Sequence, residues 1–299
     1  MKNGLIIVNK EAGMSSQAVV NKIKKLLGVE KAGHTGTLDP MATGVLPVLI
    51  GRAVKASEFL LTSDKHYRAT FRLGIQTDTE DITGKIVSES DNIPGEAAVM
   101  EAINSMLGKS MQIPPMYSAI KIQGKKLYDL AREGKTVERE SRPIEIFEIK
   151  GKKISENEYE IDVKCSKGTY IRTICADIGK KLGCGAVMTS LCRRSAAGYS
   201  TSWGHTLAQI EGVAEERREV FVLPIDKLFP DKKEIILPPF FARLARCGVP
   251  IYQKKIGTDI PKDEIVRLSD ENGFFALGQA VSLDDGEAIK PIRQFDITP

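Results

Sequence analysis

Leu5, Ile6, Ile7 and Val8 form an unbroken apolar run, which predicts a short strand buried on both faces. Ser15 or Ser16 then offers a helix cap. Val19, Val20, Ile23, Leu26 and Leu27 follow at helical spacing as far as Gly28. Residues 29–44 hold three glycines and one proline and read as loop. Arg52–Leu61 has a helical pattern. His66–Leu73 and Lys85–Ser88 read as strands around a polar loop, Gln76–Gly84. Pro94–Leu107 and Lys125–Glu133 read as helices, each closed by a glycine. Glu145–Lys150 and Tyr159–Cys165 alternate as strands do. In Thr169–Leu182 the apolar positions Ile171, Ile174, Cys175, Ile178 and Leu182 fall on one helical face, up to Gly183.

This order has no regular βα repeat, so the fold class is α+β with a mostly antiparallel mixed sheet and flanking helices. Around Phe229–Pro239 the chain turns proline- and charge-rich, a plausible boundary. Beyond it, short alternating runs (Ile265–Leu268, Phe274–Ala280) lie between Asp-Glu-Asn-Gly and Asp-Asp-Gly turns, which predicts a small C-terminal β-barrel. The expected domains are residues 1–230 and 231–299.

Composition supports two globular domains: 299 residues, 42% hydrophobic and 27% charged. It excludes a collagen-like, disordered or disulfide-framework chain. No apolar run approaches the roughly 18 residues of a membrane helix. The N-terminus runs from Met-Lys-Asn-Gly straight into a strand-like segment, without a signal-peptide pattern. The five cysteines contain no C-x-x-C pair and there are three histidines, so reduced thiols and a cytoplasmic location are expected, with no zinc site. Charge is uneven. Residues 231–299 hold 10 bases against 11 acids, whereas residues 164–194 hold seven bases and one acid, Asp177. That local excess suits either a polyanion such as RNA or a solvated helix face.

Four stretches could carry chemistry. Gly33–Gly44 packs His34, Thr35, Thr37 and Asp39 into a glycine-rich loop, although Asp39-Pro40 also fits a helix cap. Lys167–Arg172 heads the basic helix, where a phosphate or carboxylate would sit well and Arg172 could form a bidentate pair. In Lys65–Arg68, Tyr67 and Arg68 point to opposite faces of a strand. Asp78, Glu80 and Asp81 form an acidic turn lacking the ligand positions of a calcium loop. Nucleotide-binding glycine motifs, H-E-x-x-H and G-x-S-x-G are all missing. Chemistry on ordinary side chains, with neither cofactor nor metal, is therefore expected, through a carboxylate helped by Tyr, His and Arg.

Lys31–Lys55, KAGHTGTLDPMATGVLPVLIGRAVK, resembles the catalytic motif of the TruB family of tRNA pseudouridine synthases. Lys65–Gly84, Ile113–Lys135, Ser166–Gly183 and Leu191–Arg194 resemble further family motifs in the same order, and the tail through Phe295 is similar to a PUA-type RNA-binding barrel. Departures are small: Val54 stands where Thr is common, and Val187 and Met188 replace more polar residues. The resemblance implies an isomerase that converts uridine 55 in the tRNA T-loop to pseudouridine by base flipping, without a cofactor. It implies Asp39 as nucleophile, Tyr67 stacked on the base and placed to help remove the C5 proton, and Arg172 paired with Asp39. Tyr170 and Leu191 would line the pocket, and His34 would hold the loop with the base flipped out. The expected partner is tRNA, met through its T-stem-loop and acceptor side by a monomer with no membrane and no obligate protein partner.

Three other readings compete. A guide-dependent catalytic subunit shares the Asp motif, but Tyr117–Gly134 resembles the stand-alone bacterial branch. An RNA-binding or RNA-folding protein with incidental catalysis fits the basic face and tail. A glycosidase using carboxylates from Asp78–Asp81 leaves the His-Thr-Asp loop unexplained.

Overall fold

A computed structural model describes residues 2–61, 64–118, 120–122 and 124–295 of the chain, so positions 119 and 123 of the Ile113–Lys135 motif lie outside the described residues. Its larger unit is built on a nine-stranded sheet. The main path runs Gly4–Lys10, Thr43–Ile50, Ala186–Ala196, Lys65–Leu73, Glu158–Cys165, Arg142–Lys153, Gly108–Gln112. Pairing is antiparallel except at one short junction, where Cys192 and Arg193 run parallel to Thr43 and Gly44. The α+β architecture with a mostly antiparallel sheet is therefore present.

Side-chain alternation explains which face does what. In Lys65–Leu73 the odd positions, Lys65, Tyr67, Ala69, Phe71 and Leu73, are all buried, and the even positions face outward to varying degrees. Glu158–Cys165 beside it alternates in register, with Val163 opposite Tyr67. The buried face packs on the helices Ser16–Leu27, Glu96–Asn104 and Ile171–Leu182 to form the main core. Gly4–Lys10 is buried along almost its whole length because both its faces are covered: Ile6 and Val8 join the main core, Leu5 and Ile7 a second cluster behind it.

Local signals set the helix ends. Ser15, the earlier of the two candidate serines, caps Ser16–Leu27 by accepting the Ala18 N–H at 3.1 Å. The basic helix begins at Ile171, not Thr169, and Pro94–Leu107 yields a shorter helix, Glu96–Asn104. Arg52–Leu61 forms a 3₁₀ segment, Gly51–Ala56, that continues into the helical turn Ser57–Leu60. The expected loop at 29–44 contains a three-residue strand, Ala32–His34, paired with Val48–Ile50.

The C-terminal unit is a curled five-stranded sheet, Glu234–Ile236, Ile265–Asp270, Gly273–Leu283, Gly286–Gln294 and Ile251–Tyr252, consistent with a PUA-like domain. The helix Pro239–Arg246 packs on it, and the unit has an apolar cluster of its own. It also shares one with the larger unit: Phe229, Leu277 and Phe295 pack with Leu5, Ile7, Val45 and Leu49. No helix among the described residues is long and apolar enough to cross a membrane.

Candidate active site

The loop 35–42 hangs between Ala32–His34 and Thr43–Ile50, and its backbone is pinned at several points. Ser16 Oγ donates to the Leu38 carbonyl at 2.9 Å and accepts the Leu38 N–H at 2.8 Å. Lys10 Nζ is buried beneath the loop and donates to the carbonyls of Pro40 (3.0 Å), Ala42 (2.6 Å) and Glu11 (2.9 Å). Desolvation pushes the Lys10 pKa down to about 8, against the opposing pull of Asp39. His34 Nδ1 accepts the Gly36 N–H at 3.3 Å. Burial, then the charge of Arg193, lowers the His34 pKa, so the ring is neutral near pH 7.

Asp39 starts no helix. Its carbonyl accepts the Ala42 N–H in a turn that leads into the strand at Thr43, so the capping alternative fails. The freed side chain meets Arg172, with Nε 3.0 Å from Oδ2 and Nη2 3.4 Å from Oδ1. The Asp39 side chain keeps 31% exposure, whereas Arg172 keeps 5%. Arg172 also donates to the carbonyls of Thr79 (2.9 Å) and Tyr117 (2.8 Å) and lies 3.5 Å from the buried Asp81 carboxylate. A guanidinium this buried needs every donor met, and two carboxylates and two carbonyls meet them. Burial raises the Asp39 pKa above the ordinary aspartate value, Arg172 and Lys10 pull it back, and Asp81 adds to the rise.

Tyr67 and Tyr170 approach the same carboxylate closely enough that its charge acts on both hydroxyls. Tyr67 is buried in the main core, opposite Val163 on one side and Arg193 on the other. Burial raises its pKa, while the charge of Arg193 and a hydrogen bond to it pull the value down. Tyr170, just ahead of the Ile171–Leu182 helix, is fixed by Gln112: the side-chain amide accepts the Tyr170 N–H at 2.8 Å and donates to its carbonyl at 3.0 Å. Leu191 sits opposite Ala69 in the sheet, and Thr43 Oγ1 donates to its carbonyl at 3.4 Å. The structure thus brings Asp39 and Arg172, 133 residues apart in sequence, into one ion pair, with the Asp39 charge also acting on Tyr67 and Tyr170, while His34 holds the start of the same loop and Leu191 accepts from Thr43 at its end.

Other expectations need correction. Of the seven bases in 164–194, Arg172 and Arg193 are buried and paired inside, so the basic face is smaller than the count suggests. The acidic turn offers neither a glycosidase carboxylate pair nor a cation loop. Asp78 accepts the Lys85 N–H, Glu80 accepts from Thr173 Oγ1 at 2.6 Å, and Asp81 is held by Thr79 and Thr83 beside Arg172. Lys10 and Gln112 were not singled out from the sequence, Ser16 was read only as a possible helix cap, Asp81 only as part of the acidic turn, and Arg193 only within the basic run and the Leu191–Arg194 motif. For Lys10 the one signal available was a charged residue closing a buried strand.

With the geometry in place, comparisons decide the family. A model of the TruB family pseudouridylate synthase N-terminal domain matches residues 24–171, and one of the tRNA pseudouridylate synthase B C-terminal domain matches residues 172–230. The tRNA pseudouridine synthase B of Clostridium tetani is 44% identical over 278 residues, covering 93% of this chain and 95% of that protein. The chain belongs to the TruB family of pseudouridine synthases. A Francisella tularensis subsp. novicida relative of the same name is 42% identical over 292 residues, covering 96% of this chain and 93% of its own. Among solved structures, a chain of a Cbf5-Nop10-Gar1 complex superposes with a TM-score of 0.74 at 25% identity, covering 98% of this chain and 85% of its own. It is thus a tRNA-modifying pseudouridine synthase of the TruB family.

Proposed function

We propose that the chain isomerises uridine 55 of the tRNA T-loop to pseudouridine, with the target base flipped into the cleft and Asp39 as nucleophile. One observation carries the reading: a partly exposed carboxylate is ion-paired at 3.0 Å to a guanidinium that is itself buried. A carboxylate attacks only when ionised, and Arg172 favours that form against the cost of burial.

The reaction balances without a co-reactant. The N1–C1′ bond breaks, a C5–C1′ bond forms, the C5 proton leaves and N1 gains one. Between these events the uracil must turn without escaping or meeting water. Tyr67 stacks on it and its hydroxyl helps take the C5 proton, Tyr170 and Leu191 wall the pocket, and neutral His34 braces the loop. Exposed Lys164, Lys167, Lys180, Lys181 and Arg194 meet phosphates. Residues 1–230 carry the chemistry, and the PUA-like residues 231–299 add contacts on the acceptor side of tRNA. The protein acts as a cytoplasmic monomer with no obligate partner.

The test is to incubate the purified chain with unmodified tRNA and with an isolated T-stem-loop, then map pseudouridine. One modified residue at the T-loop uridine of both RNAs is expected, with nothing else added. Modification elsewhere, or only with a guide RNA and the proteins seen beside Cbf5, would overturn the reading.

A further inference from the structure

Arg193 ties together the two segments that carry Asp39 and Tyr67. It lies directly opposite Tyr67 where Ala186–Ala196 pairs antiparallel with Lys65–Leu73, and opposite Gly44 where the same strand pairs parallel with Thr43–Ile50. The register shifts immediately after it, between Arg193 and Ser195, so the strand changes course at this residue. Gly44 has φ of 96°, and a Cβ there would stand 2.3 Å from the Arg193 carbonyl oxygen, so the two backbones meet as closely as they can.

The side chain uses this position. It is 1% exposed, the largest fully buried side chain among the described residues. Nε donates to the Val45 carbonyl at 2.7 Å, Nη2 to Gly36 at 3.0 Å and Nη1 to Thr37 at 3.5 Å. Gly36 and Thr37 precede Asp39, and Val45 follows it, so one planar fork closes both ends of the nucleophile's loop. Arg193 and Tyr67 are direct cross-strand partners, so both side chains leave the same face of the sheet, and the guanidinium charge acts on the Tyr67 hydroxyl. A fully desolvated tyrosine is a poor proton acceptor because its anion is costly; a fixed cation beside the hydroxyl lowers that cost.

We propose that Arg193 is a positioning residue for the isomerisation, aligning the Tyr67 hydroxyl with the Asp39 loop and supporting a relay in which its oxygen takes the C5 proton as its own proton leaves for solvent or N1. The proposal rests on the reading above, in which Tyr67 takes that proton. Arg172 favours the ionised nucleophile; Arg193 serves the proton acceptor. The division of labour explains why two buried arginines accompany a single attacking carboxylate.

A double-mutant cycle tests it: single-turnover rate and RNA affinity for the natural chain, Tyr67→Phe, Arg193→Lys and the double variant, with melting curves for each. Lysine keeps the charge but not the fork. Arg193→Lys should slow the chemical step on the order of tenfold or more, while the dissociation constant moves by less than about twofold. In the Tyr67→Phe background the same change should cost less than about twofold, because the hydroxyl it serves is already gone. Full additivity of the two losses would overturn the proposal and leave the Tyr67 role standing. A Tyr67→Phe variant as fast as the natural chain would instead overturn the Tyr67 role itself. If Arg193→Lys fails to fold, the side-chain ¹⁵N spectrum of the natural chain and of Tyr67→Phe decides. A buried guanidinium signal that shifts on loss of the hydroxyl supports the proposal, and an unchanged set of arginine signals overturns it.

Discussion

Burial and Arg172 pull the Asp39 carboxyl in opposite directions, and burial has the larger effect. Its pKa in the folded chain lies above the ordinary value of 3.8, so folding favours the protonated acid. The stability that preference gives is present at low pH and is lost as the pH rises from 3.8 through the raised folded pKa. At neutral pH the ionised carboxylate therefore weakens the fold, while Arg172 retains Asp81 and two carbonyls. Asp39→Asn should melt at the same temperature as the natural chain or higher at pH 7, measured by calorimetry; a clear fall would show that Asp39 is structural. The ion pair of Asp39 with Arg172 was legible in the sequence because each residue falls in a recognisable run. The parts played by Asp81 and Lys10 were not, since what matters about each is which buried group it faces. A linear chain shows neither the carbonyls above Lys10 nor the guanidinium beside Asp81.

At the scale of elements, the Ile171–Leu182 helix delivers Arg172, so its seating on the sheet fixes the ion pair. That seating is backbone against backbone at Gly179: a Cβ there would lie 2.1 Å from the Ala186 nitrogen, and the Gly179 carbonyl accepts the Gly185 N–H at 3.0 Å. Gly179→Ala gains intrinsic helix propensity, yet it must push the helix outward. It should cost about 1–3 kcal/mol in denaturant unfolding, and activity should fall with it. A variant more stable than the natural chain would mean that the helix has slack. Periodicity located this helix to within two residues because its buried face is continuous. It misjudged the loop at 29–44, where Ala32–His34 is a strand too short to show a period. It also left Arg172 on a surface-like basic face, since a paired buried arginine and a solvated one look alike in sequence.

For the whole molecule, the break near residue 230 is marked by composition, but the packing across it is continuous. Phe229 contacts the rings of Phe59, Phe274 and Phe295, and the cluster reaches Leu5 and Leu49 in the first two strands of the large sheet. That interface was hidden because an unbroken apolar strand predicts two covered faces without saying what covers them. Phe229→Ala should cost about 3–5 kcal/mol and lower one cooperative transition. Two separated transitions in the natural chain would contradict a shared core. The shared core joins the C-terminal sheet to the larger unit. Single-turnover conversion of a T-stem-loop by natural chain and Asp39→Asn, with RNA affinity measured for both, tests the central claim most directly. Asn retains size and polarity but cannot attack, so affinity should persist while pseudouridine stays below detection. Measurable single-turnover conversion by the Asn variant would contradict the account.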